Sequence, residues 1–409
     1  MEFMQTQKCK ITDSYFKESQ KSKKDIQNSR NSIGYLCTYI PEEILISGGL
    51  HAVRIKGDSE SNLADGYLPI NFCPYIKAVW EEVHKKSYSL KSLIFATSCD
   101  GMKRLNDLFL NYKKEHFSFM LDVPKNYDEN SIQFYASRLK NLFEFVKDIS
   151  PQESIGIKDL LSSIATINKK RKLLSELSAI YESDENSSIS TSQYFNILDI
   201  AASSDNKIFI YELENFIKNF QNSEAESRSS SDLSVSKDNN NIMVIGNYIN
   251  DSNFWDIFSD LDIKVIASDL CISSRYFDFQ VSLNELDNNN LDKTVSIRSN
   301  ASGFEDYSNN PDKVFRFIAE SYIKKPPCFR MTSLEEKLKS IREKIFSEKI
   351  KAVIFTSLKF CDNTLYFYPE LKNELVKLNI PSLYLDVEYG KSSHGQLRTR
   401  IEAFYEMLF

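Results

Sequence analysis

Six of the seven cysteines, Cys37, Cys73, Cys99, Cys271, Cys328 and Cys361, each stand where an extended apolar run ends or a turn begins. None belongs to a CxxC pair. Thiols delivered singly from distant strand ends can assemble one metal cluster at one edge of a fold. Cysteines kept for packing would lie inside the apolar runs instead. Soft thiolates select zinc, copper(I) or iron–sulfur clusters. Structural zinc usually draws on tightly spaced pairs, so widely separated single cysteines fit an iron–sulfur cluster held between domains better. The competing reading is that free cysteines are small buried hydrophobes, and spacing alone leaves it open. Cys9, in a polar amino-terminal stretch, reads as a bystander.

The elements that must position these thiols alternate. SIGYLCTYI (32–40) and HAVRIKG (51–57) read as strands, with a short helix entered at Pro41 between them. Proline suits a helix's first turn because its missing N–H costs nothing there. NFCPYIKAVWEEVHKK (71–86) reads as a turn entering a helix at Pro74. SLIFATSCDG (92–101) and HFSFMLDVPK (116–125) are strands separated by the amphipathic MKRLNDLFLNYKK. Strands alternating with helices predict a parallel sheet with helices on its faces.

The character then changes. Apolar residues recur at helical spacing in SIQFYASRLKNLFEFVKDI and SQYFNILDIAAS, which predicts a helical insert over 129–221. NSEAESRSSSDLSVSKDNNN is too poor in large apolar residues to offset its own ordering entropy. It reads as a linker or mobile loop over 222–241.

The α/β rhythm resumes with strands in NIMVIGNYI, DIKVIASDLC, KAVIFTSLKFCD and IPSLYLDVEYG. LNELD, DKVFRFIAESYI and SLEEKLKSIREKIFSEK supply helical material between them. HGQLRTRIEAFYEML closes the chain as a helix. The expected architecture is α/β, with two parallel-sheet, flavodoxin- or Rossmann-like domains. A polar segment (1–30) precedes the first domain (31–128), and the second (242–409) follows the linker. In open α/β sheets ligands bind beyond the carboxyl ends of the strands. Two such sheets facing a cleft would bring the thiols together there.

Composition bounds the function. The 409 residues are 42% hydrophobic, enough for two or three cores. A net charge of -6 with mixed signs predicts a soluble surface with no nucleic-acid footprint. No apolar stretch approaches the roughly 20 residues of a membrane span, and the amino terminus lacks the apolar core of a secretion signal. A cytoplasmic location is expected, where thiols stay reduced and serve as ligands or catalysts more often than as disulfides.

Seven segments occur here in one order: YLCTYIPEEIL, NFCPYIK, TSCDGMKR, SDLCISSRYF, KPPCFRM, SLKFCDNTLYFYPELK and HGQLRTRIEAFYEML. Together, over about residues 32 to 409, the chain resembles the 2-hydroxyacyl-CoA dehydratase and benzoyl-CoA reductase subunit family. The resemblance implies a [4Fe–4S] cubane on Cys37, Cys99 and Cys361, with one iron left open to a substrate oxygen. Cys73, Cys271 and Cys328 also fall where many relatives carry cysteine. One branch uses six cysteines for a double-cubane [8Fe–9S] cluster and reduces small molecules, and that alternative stays open. Ile272 and Ser273 stand where relatives often have Thr-Gly, and Asn247 and Tyr248 where they often have a small residue and Pro. These departures bear on the substrate more than on the cluster.

The resemblance further implies anaerobic radical chemistry on an (R)-2-hydroxyacyl-CoA. One electron added to the thioester carbonyl gives a ketyl radical anion, which expels the neighbouring hydroxyl and returns the electron after product forms. It implies a sister subunit, or a homodimer in the double-cubane branch. A non-catalytic electron-relay subunit is a third alternative. There is no GxxxxGK[ST] or GxGxxG motif, so the electron must come from another protein. The family supplies an ATP-hydrolysing iron–sulfur activator.

Other groups carry two readings each. Glu42 and Glu43 serve the helix dipole or offer a proton. Asp100 and Gly101 follow Cys99, and amides in a tight turn at Gly101 can donate to cluster sulfides. His394 is a proton donor or a surface histidine. Arg398 and Arg400 contact CoA phosphates or are solvated helix charges. Lys359 is placed to tune a negative cluster.

Overall fold

The computed structural model describes residues 15–27, 29–57, 63–85, 88–112, 117–183, 188–227, 240–249, 251–283, 307, 310–388 and 394–408. Cys9, most of the Ser- and Asn-rich stretch and all of LNELD beyond Leu283 lie outside the described residues.

β1 (Ser32–Tyr35), β2 (His51–Arg54), β3 (Leu90–Ala96) and β4 (Phe117–Leu121) form a parallel sheet in the order β2-β1-β3-β4. β5 (Ile242–Gly246), β6 (Val265–Asp269), β7 (Ala352–Leu358) and β8 (Ser382–Val387) form a second, ordered β6-β5-β7-β8. The α/β fold with two parallel-sheet domains is therefore as the sequence predicts, and both sheets share one topology. Parallel strands are covered on both faces and so read as continuous apolar runs. Every residue of β7 is buried. Along β3 the faces alternate: Leu93 and Phe95 join one core cluster, Ile94 and Ala96 another.

Helices α1 (Lys17–Gln27), α2 (Glu42–Ser47), α3 (Pro74–His84) and α4 (Asp100–Tyr112) accompany the first sheet. The stretch 129–227 is helical: α5 (Glu129–Ile149), α6 (Ile157–Ser183), α7 (Thr191–Ala201) and α8 (Asn206–Ser227). The second half adds α9 (Ser252–Asp260), α10 (Ser274–Phe277), α11 (Pro311–Lys324), α12 (Leu334–Ser347), α13 (Asp362–Lys377) and α14 (His394–Leu408). The insert does not stand apart. Leu174 and Leu177 of α6 share one apolar cluster with Phe95, Val244 and Ile354 from both sheets. The Phe195 ring of α7 stacks on Trp255 of α9 with centroids 3.5 Å apart.

Helix α11 belongs to the second half of the chain but packs on the first sheet's side. Its Val314, Phe315 and Ile318 share a core with Leu139 and Phe143 of α5, and Phe143 meets Phe315 at 5.5 Å. Lys140 reaches Asp312 at 2.7 Å beside that seam. The residues after α11 are consequently drawn toward the first domain.

Asp199 of α7 ties α1 and the β2 edge to the insert, accepting from Lys23 at 2.9 Å and Lys56 at 2.5 Å. Burial opposes its charge, but Lys56 and Lys23 outweigh burial and lower its pKa to about 2. A carboxyl depressed on folding contributes stability above its unfolded value and loses it as pH falls through the folded one. Asp199→Asn is expected to lose about 2 kcal/mol at pH 7. In urea unfolding the gap from wild type should shrink between about pH 4 and pH 2; a gap independent of pH would contradict this origin.

Candidate functional site

The order of each sheet reverses between its first and third strands, β1 and β3 in one and β5 and β7 in the other. Ligands bind beyond the carboxyl ends of strands at such switch points. Cys37 follows β1, Cys99 follows β3, Cys361 follows β7 and Asn247 follows β5. Cys271 follows β6, while Cys73 and Cys328 sit in the crossovers. All six thiols are free and half-buried.

They form two groups joined through Cys37, which acts on Cys99 in one and on Cys271 in the other. In the first, Cys73, Cys99 and Cys361 act on one another electrostatically. Each stands at a helix start: Cys73 caps α3, Cys99 precedes α4 and Cys361 caps α13. The backbone amides of Tyr75 and Ile76 favour the Cys73 thiolate, and those of Gly101 and Met102 favour that of Cys99. Asn247 Nδ2 lies 3.2 Å from Cys361 Sγ, and its Oδ1 accepts from the Leu358 amide at 3.2 Å. Asn363 Nδ2 reaches the Ser98 carbonyl at 3.5 Å, stitching the two switch points together. A Cβ at Gly101 would sit 3.1 Å from the Ile76 side chain, so glycine lets the starts of α3 and α4 approach. Burial, then Cys361, push the Cys73 thiol up to about 12. Burial pushes Cys99 up to about 11 against the Met102 amide.

The second group is Cys271 and Cys328. Cys37 and Cys328 both act on Cys271. Arg275 Nη1 donates to Cys328 Sγ at 3.5 Å, and its Nε faces Asp269 Oδ1 at 2.9 Å. Lys337 pairs with the other oxygen of Asp269 and donates to the Pro327 carbonyl at 2.6 Å. Burial opposes ionisation of Cys328, yet Arg275, the Arg330 amide, the Arg330 charge and Lys337 hold it below the ordinary thiol value. Burial raises Cys271 despite Arg275 and Arg54. The segment carrying Cys328 reaches the first domain because Arg330 Nη2 donates to the Val123 carbonyl at 2.7 Å and Lys325 Nζ to the Thr38 carbonyl at 2.5 Å.

Of the ligand set implied by the resemblance, Cys361 and Cys37 both act on Cys99, and Cys99 and Cys361 act on Cys73 as well. Among the described residues no three His, Cys, Asp or Glu side chains could hold one metal ion. In a cubane each cysteine ligates its own iron, so its ligands stand farther apart than those around a single ion. Soft thiolates with amide donors beside their sulfurs have the chemistry of such a site.

The candidate acids sit elsewhere. Tyr35 and Lys170 donate to the two oxygens of Glu42, each at 2.6 Å. Arg171 and Tyr322 donate to those of Glu43 at 2.6 and 2.7 Å. Burial opposes the charge of Glu42, but Lys170 and the Tyr35 and Tyr276 hydroxyls hold its carboxyl below the usual range. Both glutamates are buried and engaged in fixing α2 to α6. His394 Nε2 lies 2.5 Å from Asp251 Oδ2, half-buried at the start of α14. Lys359 pairs with Glu388 at 2.6 Å and Arg398 with Asp260 at 2.8 Å, while exposed Arg400 donates to the Tyr384 carbonyl at 2.8 Å. Asp100 opens α4.

Sequence reasoning did not single out Arg54, Arg275, Lys325 and Arg330. Arg54 interrupts an apolar strand, and a charge in a buried strand is itself a signal. Arg275 and Arg330 follow Cys271 and Cys328 by four and two residues.

Among the described residues no helix is long and apolar enough to cross a membrane. Three similarities bear on the site. The chain is 21% identical to the (R)-phenyllactyl-CoA dehydratase beta subunit of Clostridium sporogenes over 391 residues, 93% of each chain. It is 21% identical to the lactoyl-CoA dehydratase subunit beta of Anaerotignum propionicum over 395 residues, again 93% of each. It is 25% identical to a benzoyl-CoA reductase subunit of Thauera aromatica over 159 residues, 38% of this chain and 41% of that one. The family model of 2-hydroxyglutaryl-CoA dehydratase, D-component, matches residues 37–408, a span that holds all six thiols and both switch points. The chain belongs to that family.

Proposed function

We propose that this chain is an iron–sulfur subunit of a 2-hydroxyacyl-CoA dehydratase, with a four-iron centre on Cys73, Cys99 and Cys361. The observation that carries the reading is the meeting of these thiols at three helix starts beyond both switch points, in a chain of this family. When bound, such a cluster supplies one-electron chemistry and, at an iron without a cysteine, a Lewis acid. The chain's own groups prepare the place. Amides of Tyr75, Ile76, Gly101 and Met102 favour negative sulfur, and Asn247 fixes Cys361. Half-burial limits water.

The substrate class is an (R)-2-hydroxyacyl-CoA, which loses water through a ketyl radical after an ATP-dependent activator delivers one electron. The relatives' names support the substrate class, and "beta subunit" supports a sister subunit. Ile70 and Tyr366, 85% and 83% exposed, give the Cys73 and Cys361 segments an apolar rim for that subunit.

A second reading is favoured by the remaining thiols. Cys37, Cys271 and Cys328 would hold a second four-iron centre, giving an [8Fe–9S] protein that reduces small molecules. Iron and sulfide on protein prepared without oxygen decide between them: roughly four irons per chain for one centre, roughly eight for two. Adding lactoyl-CoA or phenyllactyl-CoA is expected to change the electron paramagnetic resonance spectrum of the dehydratase. An unaltered spectrum with either thioester would point to an electron-relay subunit. Absence of iron and sulfide would overturn every one of these readings.

A further inference from the structure

A cavity of about 450 Å³ opens at the β2 edge of the first sheet, where α1, α7 and the end of α3 meet. None of the six thiols lines it. Three lysines do: Lys23 and Lys24 from α1, and Lys56 from just after β2. The carboxylates beside them are Glu82, which also lines the cavity, and Asp199, which pairs with Lys23 and Lys56. Among these described residues ammonium groups outnumber carboxylates by three to two.

The pairing also leaves donors over. Lys23 Nζ and Lys56 Nζ both donate to the same oxygen, Asp199 Oδ2, at 2.9 and 2.5 Å. Their side chains are only 20% and 15% exposed. An ammonium carries three donors, and that oxygen takes up one of each. Burial lowers the Lys56 pKa even against Asp199, and Lys23 adds to the effect. Like charges held together and partly out of water favour a further anion. The rest of the wall suits the body of a small molecule. Gln20 and Asn196 offer amides, and Tyr88 and Ile200 add apolar surface. The volume lies within the range of small-molecule sites, about 300–1,000 Å³, and exceeds what a bare phosphate ion fills.

We propose that this cavity binds the phosphate group of a small phosphate ester, with Lys56 and Lys23 as its charged donors and Lys24 beside them. Lysine serves phosphate as a point charge. Only non-covalent contacts form, and nothing is transferred. The ligand joins α1 to the β2 edge, as Asp199 does from the other side, so it stabilises the folded chain.

The test is calorimetric titration of the full chain at low ionic strength, with AMP and separately with inorganic phosphate, against sodium chloride as the control. AMP is expected to bind, and to bind more tightly than inorganic phosphate. Lys56→Gln is expected to weaken AMP binding by about tenfold or more, the worth of one charge-assisted hydrogen bond, and Lys56→Arg to recover most of it. Asp199→Asn is expected to bind AMP more tightly than wild type, because the competing anion is gone, although its fold is weaker. Lysines that serve only to hold α1 would not give that opposite sign. Should Lys56→Gln fail to fold, Lys24→Gln and Asp199→Asn carry the test. AMP heats no larger than those of chloride, AMP affinity unchanged in Lys56→Gln, or weaker AMP binding in Asp199→Asn would each overturn the site. Equal affinity for AMP and inorganic phosphate would overturn its assignment to an ester.

Discussion

Cys73→Ala is expected to lose about four irons per chain and the visible absorbance of one cubane, and Cys99→Ala and Cys361→Ala are expected to match it. The reason is geometric. These thiols act on one another from three helix starts, and a cubane with three protein ligands loses its anchor when one is removed. Cys37→Ala is the informative partner, because Cys37 acts on both Cys99 and Cys271. With a single centre it keeps all the iron; with two it loses the four irons that Cys73→Ala retains. Circular dichroism would establish that each variant is folded. Should Cys37→Ala share the defect of Cys99→Ala while Cys73→Ala binds iron normally, the grouping proposed here is wrong.

Arg171→Met is expected to destabilise the fold by about 3–5 kcal/mol, the cost of leaving a buried charge without its partner. Arg171 donates to Glu43 at 2.6 Å and to the Tyr322 hydroxyl at 2.8 Å, and all three are buried. Its guanidinium also lies 4.1 Å from the Phe279 ring. One side chain therefore joins α6, α2 and α11. Equilibrium urea unfolding measures the loss. Replacing Glu43 by Leu as well is expected to recover most of it, because the stranded carboxylate is then gone. Arg398→Met, whose partner Asp260 is exposed, should change stability little. A single variant as stable as wild type would show that the pair is not what fixes α2. The effect reaches the site, since Glu42 and Glu43 begin the helix that follows Cys37.

Glu42 and Glu43 also show how far sequence reasoning carries. As neighbours at a helix start they fit dipole duty or proton transfer equally well. Their real partners, Lys170 and Arg171, lie 128 residues away, and nothing local in the sequence encodes that distance. His394 is similar: its carboxylate partner Asp251 is 143 residues distant.

The strands and helices were legible because their causes are local. Continuous apolar runs specify covered parallel strands, and prolines at Cys73–Pro74 and Pro41 mark helix entries. The same locality explains why six cysteines can be placed at strand ends and turns from the order of residues alone. Which cysteines share a site was not local. Helix α11 crosses to the first sheet because its apolar stripe fits α5, and that packing carries Cys328 to Cys271 and Cys37. Asn363 and Asn247 likewise bring Cys361 to the Cys99 loop. Sequence by itself determined the fold class and the list of thiols. Only tertiary structure decided which thiols neighbour one another and that Arg275 meets Cys328, because both follow from packing between elements far apart in the chain.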